Sequence, residues 1–181
     1  MKKTSLFLAL ALSTGALFAQ KKTTTSATVS FDASTSTDAL PKAENKTAVA
    51  ALDTKKGSIA FETVIKNFTF SNPMMQEHFN SAGWLDSEKF PVANFKGDIK
   101  NLSDIDFSKD GTYSADIAGD LTIHGTTQPV KAKATIVVEG KKISSKSDFK
   151  IKLEDYKVNG PAIAAGKVSK EAAISVSASF N

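Results

Sequence analysis

The chain reads as an all-β protein, an antiparallel up-and-down barrel of about eight strands with one short helical insert. Three observations point there. Apolar and polar residues alternate in run after run from Ala27 to Phe180, the period of half-buried strands. Most runs are joined by short turn signals, which makes neighbouring strands antiparallel. The large apolar side chains gather in one segment, Phe68 to Pro91. It holds the only Trp, one of the two His, two of the three Met and four of the twelve Phe.

The N-terminus sets the compartment. Met1-Lys2-Lys3, the apolar run Leu6 to Leu12 and small Ala19 make a secretory signal over residues 1–19. Polar Ser13, Thr14 and Gly15 interrupt the run, which is too short for a membrane anchor of about 20 apolar residues. Cleavage near Ala19 leaves about 160 residues, enough for one domain with a sizeable core. Residues 20–25, rich in Lys and Thr, read as a flexible N-terminus, and 26–181 as the barrel domain. The product is expected to be soluble and periplasmic or secreted, with no integral membrane span. It has no cysteine, hence neither disulfides nor a lipid-anchor thiol. Losing Lys2 and Lys3 lowers the formal charge from +4 to +2, and the other lysines are scattered, so nucleic acid is not an expected partner.

The strands follow in order. Ala27, Val29 and Phe31 share one face; Val49 and Ala51 form a weaker run after Pro41-Lys42. Ile59, Phe61, Thr63 and Ile65 follow the Lys55-Lys56-Gly57 turn, with Phe68 and Phe70 beyond a slip of register. Ala93, Phe95, Gly97 and Ile99 repeat the pattern. Asp110-Gly111 signals a tight hairpin leading into Tyr113, Ala115, Ile117, Gly119, Leu121 and Ile123. Val130 to Val138 follows the turn at His124-Gly125, Ile143 to Leu153 follows Gly140-Lys141, and Ala172 to Phe180 closes the chain.

One helix interrupts them. Asn72 suits its N-cap and Pro73 its first position. Met74, His78 and Leu85, with Met75, Phe79 and Ala82, make one apolar face, ending near Ala82-Gly83. A closed barrel removes exposed edges; a β-sandwich is the architectural alternative. An outer-membrane barrel is excluded, because it needs an apolar outward band, whereas Lys131, Lys133, Lys146, Asp148, Lys150 and Lys152 face outward here.

Little in the chain asks for catalysis or a cofactor. His78 and His124 lie on separate elements without paired spacing, short of the three or four ligands a zinc site needs. No Gly-x-Ser-x-Gly elbow or Gly-rich phosphate loop occurs. Asp86, Ser87, Glu88 and Lys89 read as a hydrogen-bonded loop. The aromatic and Met cluster is the positive signal, either a filled core or the lining of a small-molecule cavity. Eight strands just hold one small ligand, and the small inward residues Ala51, Ala93, Gly97, Ala115, Gly119, Ala132 and Ala134 leave space.

Asp86-Ser87-Glu88-Lys89-Phe90-Pro91, with Phe95, resembles the Asp-x-x-x-aromatic-Pro box of the YceI-like family. Gly119-Asp120-Leu121-Thr122-Ile123-His124-Gly125-Thr126-Thr127-Gln128-Pro129-Val130 is similar to its Gly-x-Leu-Thr-x-x-Gly-x-Thr-x-Pro-Val hairpin, and His78 before Phe79 stands where the family's helix often has a histidine. The resemblance implies a lipocalin-like barrel that is exported, binds a long isoprenoid or similar amphiphile inside, and carries no catalytic residues. The Arg-Asp often found before that histidine is Met75-Gln76 here.

The expected partner is therefore a lipid- or isoprenoid-like molecule. Its expected contacts are Phe31, Phe61, Phe68, Phe70, Met74, Met75, His78, Phe79, Trp84, Phe90, Phe95, Ala115, Ile117 and Ala132. Trp84 is expected to pack against the helix as a lid or wall. A filled, surface-acting barrel and an enzyme using His78 with Asp86 or Glu88 are the competing readings. Oligomeric state is open, a homodimer included.

Overall fold

The computed structural model describes residues 20–180; the segment 1–19, read above as a secretory signal, lies outside the described residues. The described residues form nine strands, of which all but β4 alternate up and down: β1 (Lys21–Asp32), β2 (Lys42–Asp53), β3 (Ser58–Val64), β4 (Thr69–Phe70), β5 (Val92–Ile99), β6 (Gly111–Ile123), β7 (Thr126–Glu139), β8 (Lys142–Lys152) and β9 (Glu171–Phe180). The sheet runs β1-β9-β8-β7-β6-β5-β3-β2, and β2 pairs back onto β1, closing an eight-stranded antiparallel barrel. Two-residue β4 adds to β2 through Ala43↔Phe70 and Glu44↔Thr69. Closure pairs every long strand on both sides, so no edge is left to aggregate. The barrel stands and the sandwich alternative falls.

Local chemistry explains the turns. His124 (φ 50) and Gly125 (φ 67) both adopt left-handed backbone between β6 and β7, the geometry a two-residue hairpin needs. Asp110-Gly111 does not make such a turn. β5 and β6 are joined by a longer loop with a helical turn at Leu102–Asp104, and the Asp110 carboxylate instead accepts a hydrogen bond from the Gly140 N–H, 2.7 Å away.

Residues 21–25 belong to β1, against the flexible reading. Lys21 to Thr24 pair with Asp53 to Ala50, and the threonines suit a strand despite their polarity. On β2 the inward face is Ala48, Ala50 and Leu52, all at most 1% exposed, whereas Val49 is 47% exposed. The expectation for Val49 and Ala51 was therefore off by one residue. A bulge causes it: Ala27 pairs Ala48 while Val29 pairs Asn45, leaving an extra residue on β2. Fully buried Asn45 holds the kink, accepting from Thr47 N–H (2.8 Å) and hydroxyl (2.9 Å) and donating to Val64 O at 2.9 Å.

Helix α1 (Pro73–Asn80) starts as expected, with Asn72 accepting from Met74 N–H, but ends at Asn80, short of Ala82-Gly83. A second helical turn, α2 (Pro161–Ala164), lies in the long β8–β9 crossing. Both sit at the end of the barrel that carries the β6–β7 hairpin.

The interior divides into two halves. Toward the β2–β3 and β7–β8 turns the core is filled, by Leu52, Ile59, Ile99, Ala115, Ile136, Val138, Ile143 and Phe180 among others. Toward the helical end, Phe68, Phe70, Phe79, Leu85, Leu121, Ile151, Leu153, Tyr156, Val158 and Val168 form the second cluster. Phe95 and Val29 touch both.

Candidate ligand cavity

Residues that point inward in the helical half are not all fully covered. Phe95, Ile117, Ile123, Val130, Ala132, Phe149 and Ile174 are half-buried although they face the interior, because they border a void. The void measures ≈ 140 Å3.

The walls come from nearly every strand. β1 gives Val29 and Phe31, β3 gives Ile59, Phe61 and Thr63, β6 gives Ile117, Leu121 and Ile123, and β8 and β9 give Phe149, Ile151, Ile174 and Val176. Phe79 of α1, Trp84 and Leu85 cap it from the insert, and Tyr156 and Val158 from the β8–β9 crossing. The Phe79 ring anchors the cap, 5.6 Å from Phe31, 5.6 Å from Phe68 and 4.9 Å from Phe70 between centroids. Such tilted aromatic pairs add to simple burial.

Of the expected contacts, Phe31, Phe61, Phe68, Phe79, Trp84, Phe95, Ile117 and Ala132 line the cavity. The others lie elsewhere. Met74 is 63% exposed and His78 is exposed too, since a helix of two turns buries only the Met75–Phe79 stripe. Met75 packs on the cluster from outside the lining, and Phe70 backs Phe79. Ala115 is 0% exposed and sits in the filled half. Phe90 meets the His124 ring edge-on, 4.8 Å between centroids. Trp84 is a half-buried wall facing Gly160, where an added Cβ would sit 3.7 Å from its ring.

Alternation missed the β8–β9 crossing, yet that crossing closes one side of the cavity. Beyond Leu153, Tyr156, Val158 and Val168 carry an irregular apolar spacing that matches neither strand nor helix. The hairpin tip fastens it: His124 Nδ1 lies 3.2 Å from Tyr156 O, and the Gln128 amide donates to Asp155 O at 2.9 Å. The two boxes singled out in the sequence thus meet in space, Phe90 covering the hairpin turn whose His124 holds the crossing.

Electrostatically the site is quiet. Among the described residues no three His, Cys, Asp or Glu gather where a metal could bind. Tyr156, 2% exposed, is the lining group whose ionisation is displaced: burial, with Asp155's charge adding, pushes its phenol up to about 12. The unfolded chain ionises near 10. Stability from the neutral, buried phenol is therefore complete below pH 10 and fades as pH rises to 12. We expect a loss of about 2 kcal/mol over that window, absent in Tyr156→Phe. Phenolate absorbance tracking an ordinary pH 10 transition at both tyrosines would count against it.

A closed antiparallel barrel with an apolar, capped interior defines the structural class. The chain belongs to the YceI-like family, whose domain matches residues 18–180. A UPF0312 protein of Pseudomonas fluorescens is 43% identical over 65 residues, 36% of this chain and 32% of that protein. One from Pseudomonas putida strain W619 is 34% identical over 91 residues, 47% and 44% respectively. The chain thus spans less than half of either relative. Among solved structures, a polyisoprenoid-binding domain from Saccharophagus degradans superposes with TM-score 0.75 at 10% identity, covering 90% of this chain and 98% of that domain. Burkholderia cenocepacia BcnA gives 0.70 at 20% identity, covering 86% and 96%. At these identities the structural likeness speaks to the fold.

Proposed function

We propose that the protein is an exported, soluble binding protein that carries a hydrophobic or amphiphilic molecule, isoprenoid- or lipid-like, in the barrel, and that it is not an enzyme. The cavity carries this reading: an apolar space capped by aromatic side chains, with the described lining free of any nucleophile–base pair or metal cluster. An apolar void of ≈ 140 Å3 costs about 3 kcal/mol if nothing fills it, while each methylene taken from water gains about 0.8 kcal/mol. The polyisoprenoid-binding domain of Saccharophagus degradans, with the same fold, supports a long isoprenoid as one occupant. The signal segment supports export, and among the described residues no helix is long and apolar enough to cross a membrane.

Solvent extraction of the purified protein, followed by mass spectrometry, should release a long apolar molecule in stoichiometric amount. After delipidation, a C20 isoprenol at about a hundred times its Kd is expected to raise Tm by roughly 5 to 10 °C, the equivalent of about 2.7 kcal/mol. Extraction of nothing, together with an unmoved Tm, would favour a barrel acting through its surface.

A further inference from the structure

Thr63 is out of place in its surroundings. It stands on the inner face of β3 between Phe61 and Ile65, lines the cavity, and is 8% exposed. Its hydroxyl is buried and has no hydrogen-bond partner in the protein. Valine would fill the same shape without leaving a hydroxyl stranded, an arrangement that folding alone disfavours. A polar atom of this kind in an apolar site normally orients a ligand.

The rest of the lining narrows the ligand's chemistry. Among the described lining residues there is no Lys, Arg or His, and the single charge is the Glu62 carboxylate, on an exposed side chain. A carboxylate or phosphate drawn inside would find no cation to offset its lost hydration. A neutral oxygen meets no such penalty, and a hydroxyl can donate to or accept from it equally well.

We propose that the Thr63 hydroxyl is a ligand-binding subsite. It hydrogen-bonds the single neutral oxygen, alcohol or carbonyl, of a long-chain amphiphile, and the cavity selects such molecules over acids and phosphates of equal length. This rests on the ligand-binding reading above and refines it. Thr63 lies four residues along β3 from Ile59 at the border of the filled core, about 13 Å at strand rise. The bound oxygen is therefore held partway along the cavity, with apolar chain beneath it.

The test uses the delipidated full-length mature protein and three probes of one chain length: hexadecan-1-ol, hexadecane and hexadecanoate. Binding is read from Trp84 emission. Thr63→Val should weaken hexadecanol about tenfold and leave hexadecane unchanged; Thr63→Ser should hold the alcohol within about threefold. Unliganded Thr63→Val should melt no lower than wild type, so a folding defect would not mask the result. Wild type should bind hexadecanoate more weakly than the alcohol. The subsite is overturned if Thr63→Val keeps full affinity for the alcohol, if it loses alcohol and hydrocarbon alike, or if the acid binds as well as the alcohol. In those cases the cavity still binds and the broader reading survives. If wild type takes up none of the three, both fall together.

Discussion

Replacing Ala115 by Phe is expected to unfold the barrel, whereas the same change at Ala132 should leave it folded and close the cavity. The two alanines lie two strand positions apart in space: Ala115 pairs Ala134, and Ala132 pairs Ile117. Their surroundings differ completely. Ala115 is 0% exposed, in a cluster with Ile136, Val138 and Phe180, each at most 1% exposed. Buried cores pack at crystal-like density, and a phenyl ring exceeds the few methylenes whose insertion already costs about 1–3 kcal/mol. Ala132 borders the void, so its ring can occupy space that holds no protein atoms. Thermal melting and ligand titration on both variants decide the matter. Ala115→Phe should lose its cooperative transition or melt at least about 6 °C lower, and Ala132→Phe should melt near wild type without taking up hexadecanol. Uptake that persists in Ala132→Phe would place the ligand elsewhere. An unchanged Tm in Ala115→Phe would mean the closed half is not filled.

That contrast was invisible in the sequence, where both positions are alanines on alternating inward faces. Period-2 patterning says which way a side chain points but not whether atoms fill the space it points into. The strands themselves are readable: β6 holds its alternation from Tyr113 to Ile123, and β7 from Val130 to Val138 beyond the hairpin turn. Reading failed where geometry broke the period. The β2 bulge shifts the inward set from Ala43 and Asn45 to Ala48, Ala50 and Leu52, which no single-residue property announces. The Lys- and Thr-rich composition of Lys21 to Thr25 is that of a tail, and only its pairing with β2 makes it strand. Met74 and His78 share a stripe of the helical wheel, but a two-turn helix buries a narrower face than that wheel implies. The β8–β9 crossing is not legible from periodicity, because Tyr156, Val158 and Val168 follow no period, although Asn159-Gly160-Pro161 marks it as irregular and its length exceeds a turn. Phe90 and the hairpin were identified as motifs, but that one packs on the other needs coordinates.

Substituting Gly119 by Ala should be as damaging as the overpacked core. Gly97 on β5 and Gly119 on β6 are direct cross-strand partners. A Cβ on Gly119 would lie 2.5 Å from Gly97 Cα and nearer still to Lys96 O; one on Gly97 would lie 2.6 Å from Ala118 O. These are backbone atoms of the barrel wall, so no rotamer change relieves the overlap and the two strands must part. The Phe95 ring folds over the pair, 2.7 Å from either added Cβ, and touches both halves of the interior. It forms the floor that separates filled core from cavity, the kind of aromatic cover that compensates strand glycines. Gly119→Ala should therefore cost at least about 3 kcal/mol, the range of strain and overpacking effects, and lose ligand uptake because the floor is displaced with the strands. Gly140 supplies the control. It has positive φ (59) but nothing within 4 Å of an added Cβ, so Gly140→Asn, tolerant of that conformation, should stay within about 1 kcal/mol of wild type. Denaturant melts of the two variants side by side would separate close backbone approach from turn geometry. Equal, small losses would mean that the β5–β6 contact yields, and that the cavity floor is softer than the packing of Phe95 on its glycines implies.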